Sequence, residues 1–357
     1  MTAQKKKYRK NKNQRRHRSS VSLRNSNVMR TNRRPIFGYA GLFQGIVYKK
    51  DEAGNPIEST GRIVAPFNNN LIVNNGLNLL RTGNYVAYCR IGTGTAEPAN
   101  GNNQLVNQVG ATNAAGANNN ASGYNLTDKY LWKRFSRRFS AGTISGKNLN
   151  EVAMAPAATG GIFCRALLKD GMGVPITIVL LDDEVLDIVY ELRMYLPPVD
   201  TVVNAVIDGV DSVVTMRRTD NTANLNFWAT ILEGPLEPNL SYQPNTRYGL
   251  MLTALPAAST AFYGGMSGLA GPTITVAPYV ADSCQTLVAL NFGLTVGNVS
   301  PAAAFYMAGS DATDGRWTSP YGFWCYGFAP ALNKTATRIA QVNVGVSWGR
   351  YVPEPTP

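Results

Sequence analysis

Residues 160–198 read GGIFCRALLKDGMGVPITIVLLDDEVLDIVYELRMYLPP, and this stretch decides the fold. From residue 186 to 196, apolar residues at even positions alternate with mostly polar residues at odd positions. A period of two places the two sets on opposite faces of a β-strand, whereas helical faces repeat every 3.6 residues. The sequence therefore predicts a half-buried strand over about 185–196. A helix from Asp183 to Met194 is the alternative, but the Val, Ile and Tyr content favours the strand.

Two more strands are expected earlier in the same stretch. A β-branched run at 176–181 lies between a turn at 169–171, followed by Pro175, and three acidic residues at 182–184. Residues 162–168 form another apolar run. Short strands separated by turn residues commonly pair as neighbours in one sheet. We therefore expect an antiparallel meander of 162–168, 176–181 and 185–196, closed by Pro197 and Pro198.

The composition favours an all-β fold. The chain has 34 Gly and 20 Pro among 357 residues, and only 16% of its residues are charged, which is typical of many short strands joined by turns. The expected architecture is one or more antiparallel β-sandwiches with an extended basic N-terminal arm. The expected divisions are the arm at 1–34, an arm-to-body connector at 35–63, β-rich domains at 64–198 and 199–352, and a tail at 353–357.

Local patterns predict the remaining elements. An Asp208-Gly209 turn between two valine-rich runs predicts a hairpin of strands 202–207 and 210–217. Residues 335–351 alternate, with the apolar set at even positions, and predict another half-buried strand. Other expected elements are a short helix within 71–80, strands at 85–91, 273–276, 286–296 and 321–330, short strands within 225–257, and a surface loop rich in Asn, Ala and Gly at 100–123.

Positive charge is concentrated in the arm. Residues 1–34 hold 13 of the 34 Lys and Arg and no Asp or Glu, so the remaining residues carry 21 basic against 22 acidic groups. A segment with many like charges and few apolar side chains does not collapse alone. An acidic surface of another protein, DNA or other nucleic acid bound through its phosphates, and a solvated tail are the three interpretations. The expected binding residues are Lys5, Lys6, Lys7, Arg9, Lys10, Lys12, Arg15, Arg16, Arg18, Arg24, Arg30, Arg33 and Arg34.

A second basic segment, residues 130–139, reads YLWKRFSRRF. Cations interleaved with aromatic rings can bind single-stranded nucleic acid. The favoured interpretation is an edge strand whose aromatic side chains point inward and whose cations are solvated. Such a strand is a candidate for assembly contacts, made by Trp132, Lys133, Arg134, Arg137 and Arg138.

The residue types argue against several chemistries. His17, in the arm, is the only histidine, which argues against a Ser-His-Asp or Cys-His arrangement and against a histidine metal site. The four cysteines are far apart and form no CxxC pair, so buried, reduced thiols are expected. No 18-residue apolar run is present. We therefore predict no enzyme activity, no cofactor, no metal, no small-molecule substrate and no membrane contact.

Two weaker chemical signals have simpler explanations. Gly92 and Gly94 form a G-x-G of the kind found in phosphate-binding loops, but no helical pattern follows and Pro98 interrupts the region. Glycosidase chemistry needs only two carboxylates, and a cluster of acidic residues at 182–191 could supply them. Turn capping or solvation explains these residues more simply. A calcium site would need a loop spacing that these residues lack. The candidates are Asp182, Asp183, Glu184, Asp187 and Glu191.

Five segments together resemble a known family. They are residues 74–98 (NNGLNLLRTGNYVAYCRIGTGTAEP), 148–156 (NLNEVAMAP), 161–198 of the stretch quoted above, 206–217 (VIDGVDSVVTMR) and 328–352 (FAPALNKTATRIAQVNVGVSWGRYV). They are similar to tailed-bacteriophage virion structural proteins of the tail or tail-fibre type, and VLDIVYELRMY and SWGRY carry the likeness most specifically. The resemblance covers roughly 64–352, so the basic arm lies outside it. It implies a virion protein assembled in the host cytoplasm, with other virion proteins as partners and no catalytic residues.

The sequence supports three functional hypotheses. The first is a non-enzymatic structural component of a tailed-phage virion, which forms homo-oligomers and is tethered to neighbouring proteins by its arm. The second is a capsid, coat or decoration protein whose arm contacts the packaged genome. The third is a tailspike-like protein that binds or hydrolyses glycans.

Overall fold

The computed structural model describes residues 26–29, 36–117, 119–207, 209–230, 232–234, 236, 250–252, 254–259, 273–295, 298, 302–306 and 324–353. Strands dominate these residues, which confirms the expected all-β class. Of the predicted arm, only residues 26–29 are described.

The described residues form nineteen strands. The first ten are β1 (Ser26–Met29), β2 (Ile36–Lys49), β3 (Arg62–Asn69), β4 (Leu71–Ile72), β5 (Tyr88–Gly92), β6 (Gln108–Thr112), β7 (Ser122–Asn125), β8 (Tyr130–Ser140), β9 (Glu151–Ala155) and β10 (Cys164–Leu167). The others are β11 (Glu184–Tyr195), β12 (Asp200–Ile207), β13 (Val210–Arg218), β14 (Leu250–Leu252), β15 (Thr273–Val276), β16 (Gln285–Phe292), β17 (Ala302–Tyr306), β18 (Trp324–Leu332) and β19 (Ile339–Arg350). The short helices are α1 (Asn74–Leu79), α2 (Ala141–Ile144) and α3 (Thr222–Thr230), with a 3₁₀ turn at Glu58–Thr60.

The large sheet has nine strands and β11 near its centre. Its order is β15–β16–β19–β2–β11–β8–β7, with β1 also beside β19 and β3 beside β2. β11 pairs antiparallel with β2 on one side and with β8 on the other. β19 pairs in parallel with β1 and, further along, with β2. The described part of the arm is therefore an extended strand fixed to β19.

Two five-stranded sheets complete the fold. The second sheet has the order β4–β10–β9–β5–β6, and the third has the order β12–β13–β18–β17–β14. Inward side chains of the large and second sheets share one core. Tyr190 of β11 meets Phe163, just before β10, edge to face with ring centroids 6.4 Å apart. Phe163 in turn stacks on Tyr85 at 4.4 Å, so these two sheets form a sandwich.

Several local predictions are confirmed. The predicted hairpin is β12–β13, where Ile207 lies opposite Val210 and Gly209 has a φ of +78°. The predicted last strand is β19, whose Ala340, Val346 and Trp348 are buried. A short helix, α1, lies within 71–80. Strands also form at β5, β15, β16 and β18.

The predicted meander is wrong. β10 belongs to the second sheet and β11 to the large sheet, so the two strands are not neighbours. Residues 176–181 form no strand and make one isolated bridge, between Ile178 and Leu149. Ile178 and Leu180 are buried all the same. The alternation along residues 176–181 therefore reports one-sided burial of the segment that connects β10 to β11, and it carries no information about strand pairing.

The predicted half-burial of the strand at 185–196 is also wrong, because both faces of β11 are covered. Asp187 and Glu191, on the face expected to be solvated, are buried. Part of the cover comes from the predicted surface loop at 100–123, where the backbone N–H of Ala117 donates to Asp187 Oδ2 at 2.9 Å. The same region also forms β6. A segment rich in Asn and Gly thus covers a strand instead of projecting into solvent.

Long-range pairing connects regions that the sequence assigned to separate units. β2 lies in the predicted connector 35–63 and is an internal strand of the large sheet. The large sheet takes strands from both sides of residue 198. The division into domains at 64–198 and 199–352 stays a prediction. Short strands were expected within 225–257: its first residues lie in α3 instead, whereas β14 is a short strand within that range. Among the described residues, no helix has the length and apolar character needed to cross a bilayer.

Candidate interaction surface

The five residues predicted for assembly lie on two opposite faces of β8. Trp132, Arg134 and Arg138 occupy the outer face of the large sheet, whereas Lys133 and Arg137 share the inner face with the buried aromatic residues of the strand. β8 is not an edge strand, because β7 pairs along its far side. Only three of the five therefore share the outer face, and of these Trp132 and Arg134 are in contact.

The two inner cations hold the body together. Lys133 Nζ donates to Thr230 O at 2.6 Å and to Glu233 Oε1 at 2.5 Å, which connects β8 to the end of α3. Arg137 donates through Nε and Nη2 to the carbonyls of Ala87 and Val86, both at 3.0 Å. The expectation that these cations are solvated is wrong, because the sandwich buries their stems and supplies acceptors.

Arg138 and Asp187 form a bidentate pair on the outer face. Arg138 Nε and Nη2 each donate to one carboxylate oxygen at 2.6 Å. The hydrogen bond that Arg138 donates to Asp187 raises the pKa of Arg138. The Arg138 guanidinium also lies 5.7 Å from the Tyr48 ring centroid. The residues around Ala117 cover this end of the face. The Arg138–Asp187 pair therefore stabilises the fold.

At the other end of the face, two arginines share one carboxylate. Glu191 accepts from Arg134 Nε at 2.8 Å and from Arg193 Nε at 2.7 Å. Glu191 is only 5% exposed, whereas the side chains of Arg134 and Arg193 are 36% and 26% exposed. The buried carboxylate thus fixes two guanidinium groups that remain open to solvent.

Aromatic rings extend this arrangement into a row. The Arg134 guanidinium lies 4.9 Å from the Trp132 centroid, and that of Arg193 lies 4.5 Å from Tyr130. Tyr195 and Tyr351 stack with centroids 3.4 Å apart. Every member of the row is half-buried. We name these residues the aromatic–arginine row: Tyr130, Trp132, Arg134, Arg193, Tyr195 and Tyr351.

Two glycines make room for the rings. A Cβ on Gly38 would lie 3.1 Å from Tyr351 Cδ2, and a Cβ on Gly123 would lie 3.0 Å from Trp132 Cζ2. Both distances are tighter than ordinary carbon contacts. Glycine at these positions therefore lets Tyr351 and Trp132 lie close against the sheet. The close packing also buries Tyr195, and this burial is the main cause that raises its pKa.

Sequence reasoning found Trp132 and Arg134 but missed the rest of the row. Arg193 and Tyr195 were assigned to the polar face of their strand without a partner. Tyr351 lies more than 150 residues away in the chain and reaches Tyr195 because β19 and β11 both flank β2. The odd-numbered residues of β11 could have indicated the row. They do so only when the register with β8 is known, because that register places Arg193 opposite Trp132 and Tyr195 opposite Tyr130.

The glycosidase candidates are occupied by local partners. Asp182 accepts a hydrogen bond from Ser145 Oγ. The hydrogen bond from Lys49 lowers the pKa of Asp183. For Glu184, burial opposes the change, but hydrogen bonds from the Leu181 backbone and Arg62 leave its pKa lowered. A general acid in glycoside hydrolysis needs a raised pKa, so these two shifts run in the opposite direction.

The G-x-G segment binds a carboxylate of its own chain. The backbone N–H groups of Gly94 and Asn107 donate to Glu151 Oε1 at 3.1 and 2.9 Å. Arg165 Nε donates to Glu151 Oε2 at 2.9 Å. The Gly94 N–H, which a phosphate-binding loop would direct at its ligand, is therefore directed at a buried side chain of the same chain.

The cysteines lie in unreactive surroundings. Cys89, Cys164 and Cys325 are buried and Cys284 is half-buried, all as free thiols. Burial raises the pKa of both Cys164 and Cys325 to about 12, which disfavours the reactive thiolate. Among the described residues, no group of three or more His, Cys, Asp and Glu is placed to hold a metal ion.

No family model, curated protein or solved structure was found to match the chain. The thirteen arm cations lie outside the described residues, so their role stays a prediction.

Proposed function

We propose that this chain is a non-enzymatic structural protein of a virion, of the tailed-phage tail or tail-fibre type. In this proposal the body joins copies of the chain, and the basic arm tethers each copy to a neighbouring virion protein. The resemblance of five segments to that family supports the setting. The observation that carries the assembly role is the aromatic–arginine row.

The row has the composition of a protein contact surface. Trp, Tyr and Arg are the residue types most enriched among those that dominate binding energy at interfaces. Their planar groups are already held by stacking and by Glu191, so little side-chain entropy is lost on contact. The two arginines and Glu191 leave one net positive charge, which suits a protein surface better than a polyphosphate.

The arm fits a tether because its base is fixed and its charge is not matched within the body. β1 holds residues 26–29 on β19, and ten Lys and Arg precede Ser26. The rest of the chain offers 22 acidic groups against 21 basic ones, and several of these are already paired with one another among the described residues. An acidic surface of another protein is therefore the partner that best neutralises the positive charge of the arm.

The assembly role is tested with the full-length protein by sedimentation velocity and electron microscopy. We expect assemblies of regular size for the parent chain, and an increase of about tenfold or more in the dissociation constant for Tyr195→Ala, which corresponds to about 1.4 kcal/mol. Tyr88→Ala is the matched control, because Tyr88 is a half-buried strand tyrosine of the second sheet. A parent chain that is monomeric at high concentration contradicts the proposal.

The concentration of cations in the arm also favours the coat-protein alternative. A full-length variant with Gln in place of the ten Lys and Arg between Lys5 and Arg24 separates the two. A tether predicts that the variant still assembles but no longer joins its acidic partner protein. Co-purification of nucleic acid with the parent and not with the variant, with strong salt dependence, would favour the genome-facing role.

A further inference from the structure

The third sheet ends in an open strand edge at β12. β12 pairs with β13 from Asp200 opposite Arg217 to Ile207 opposite Val210. No described residue pairs with the other edge of β12. β1 passes beside β12, but its hydrogen-bonded ladder is with β19. A row of backbone donors and acceptors is therefore left without partners in the described part of the chain.

The hairpin geometry shows which backbone groups face outward. Ile207 and Val210 close a two-residue turn, and the closing pair of such a hairpin exchanges both backbone hydrogen bonds. Hydrogen-bonded and non-hydrogen-bonded pairs then alternate along an antiparallel ladder. The N–H and C=O groups of Val202, Asn204 and Val206 consequently point away from β13.

The side chains of this edge lack the features that usually protect it. Val202 is 54% exposed and Val206 is 60% exposed. Residues 201–207 read TVVNAVI and contain no charged residue and no proline, and β12 keeps a regular register without a bulge. Natural edge strands normally carry Lys, Pro or a bulge that prevents pairing with another chain. The unprotected edge at residues 201–207 is therefore suited to receive another strand.

We infer that β12 pairs antiparallel with β12 of a second copy, so that the third sheets of two copies form one continuous sheet. A two-fold axis brings identical strands together in opposite directions, and each then supplies the outward groups that the other needs. The uncharged valine face also continues across the junction without opposing like charges between residues 201 and 207. This inference rests on the proposed assembly and names a contact separate from the aromatic–arginine row.

The test uses the full-length protein and a charge placed on the open edge. Val206→Lys puts a cation among the paired strands, and we expect its assemblies to lose the two-fold contact, with at least a tenfold increase in the dissociation constant measured by sedimentation. Val210→Lys is the matched control. Val210 is a valine of the same hairpin that is 50% exposed, but it lies on β13, away from the open edge. We expect it to assemble like the parent.

A second variant tests the backbone directly. Asn204→Pro removes an N–H that points outward, and proline is tolerated on an edge strand where that N–H is not part of the sheet. We expect unchanged circular dichroism and thermal midpoint, together with loss of the contact. In the parent, hydrogen exchange at Val202, Asn204 and Val206 should slow when the copies assemble.

The outcomes separate this inference from the proposed function. Parent assemblies that resist both Val206→Lys and Asn204→Pro, while Tyr195→Ala still disrupts them, overturn the β12 contact alone. Slow exchange at the three outward amides of a monomer, or capture of β12 by a strand of another protein, also overturns it. A monomeric parent overturns both.

Discussion

Two groups of Arg–Glu ion pairs lie at different depths in the molecule. In the second sheet, Arg165 and Glu151 are 1% and 0% exposed. On the large sheet, Glu191 is buried, but Arg134 and Arg193 reach solvent. The first group fastens loops to the fold, whereas the second leaves two guanidinium groups ordered at the surface. Depth therefore decides whether such a pair is enclosed in the fold or leaves its cations accessible to solvent.

The deep pair is satisfied from every side. Glu151 accepts three backbone N–H groups as well as Arg165. Arg165 also donates to the carbonyl of Ala96 at 2.7 Å and to Asn102 Oδ1 at 3.0 Å. A buried charge network persists only when its members are all bonded. This network holds the loop between β5 and β6 against the second sheet.

The largest expected effect comes from breaking the deep pair. Arg165→Met leaves the Glu151 carboxylate buried without its cation, which should lower the free energy of unfolding by about 3–5 kcal/mol. Urea unfolding of the full-length protein measures it. Arg217→Met, at an ion pair near the surface, is the control and should lose about 1 kcal/mol or less. Equal losses for the two variants would contradict the role assigned to depth.

A pair of intermediate depth should give an intermediate loss. Arg138→Met leaves Asp187 buried, but the N–H of Ala117 still donates to that carboxylate. Arg138 itself is 21% exposed, so the expected loss is about 2 kcal/mol. Thermal unfolding at neutral pH measures this change. A loss as large as that of Arg165→Met would show that exposure does not rank these pairs.

A substitution in the aromatic–arginine row should affect association more than stability. Trp132→Ala removes the ring beneath Arg134, and we expect a cost of about 1 kcal/mol in unfolding, because the indole is half-buried and its cation contact is exposed. The dissociation constant of the assembly should rise by about tenfold or more. Paired unfolding and sedimentation measurements test this split. A large stability loss with unchanged assembly would place Trp132 in the fold and not in a contact.

The smallest expected effect is a dependence on acid at the surface pair of Asp200 and Arg217. The hydrogen bond from Arg217 lowers the pKa of Asp200. A lowered carboxyl pKa contributes stability above its unfolded value, about 4, and that stability is lost as pH falls through the folded value. Asp200→Asn should therefore cost about 1 kcal/mol or less at pH 7, with the difference vanishing in acid. A difference that grows below pH 4 would reverse the sign.

The sequence predicts elements whose signal is local. The Asp208-Gly209 turn and the alternation of β11 and β19 place strands correctly because each depends on neighbouring residues. Sheet membership is not local. Ser347–Arg350 pairs in parallel with Ile36–Tyr39 across most of the chain, and alternation alone does not report such a partner. The predicted meander was wrong for this reason, and four of the six members of the aromatic–arginine row were missed for the same one.

In the proposed assembly the body, and not the basic arm, joins the copies. Mass photometry of three full-length proteins at one salt concentration tests it most directly: the parent, the ten-residue Gln variant of the arm, and Tyr195→Ala. We expect that the arm variant keeps the mass of the parent and that Tyr195→Ala dissociates. An arm variant that falls to monomers while Tyr195→Ala retains the parental mass would contradict it.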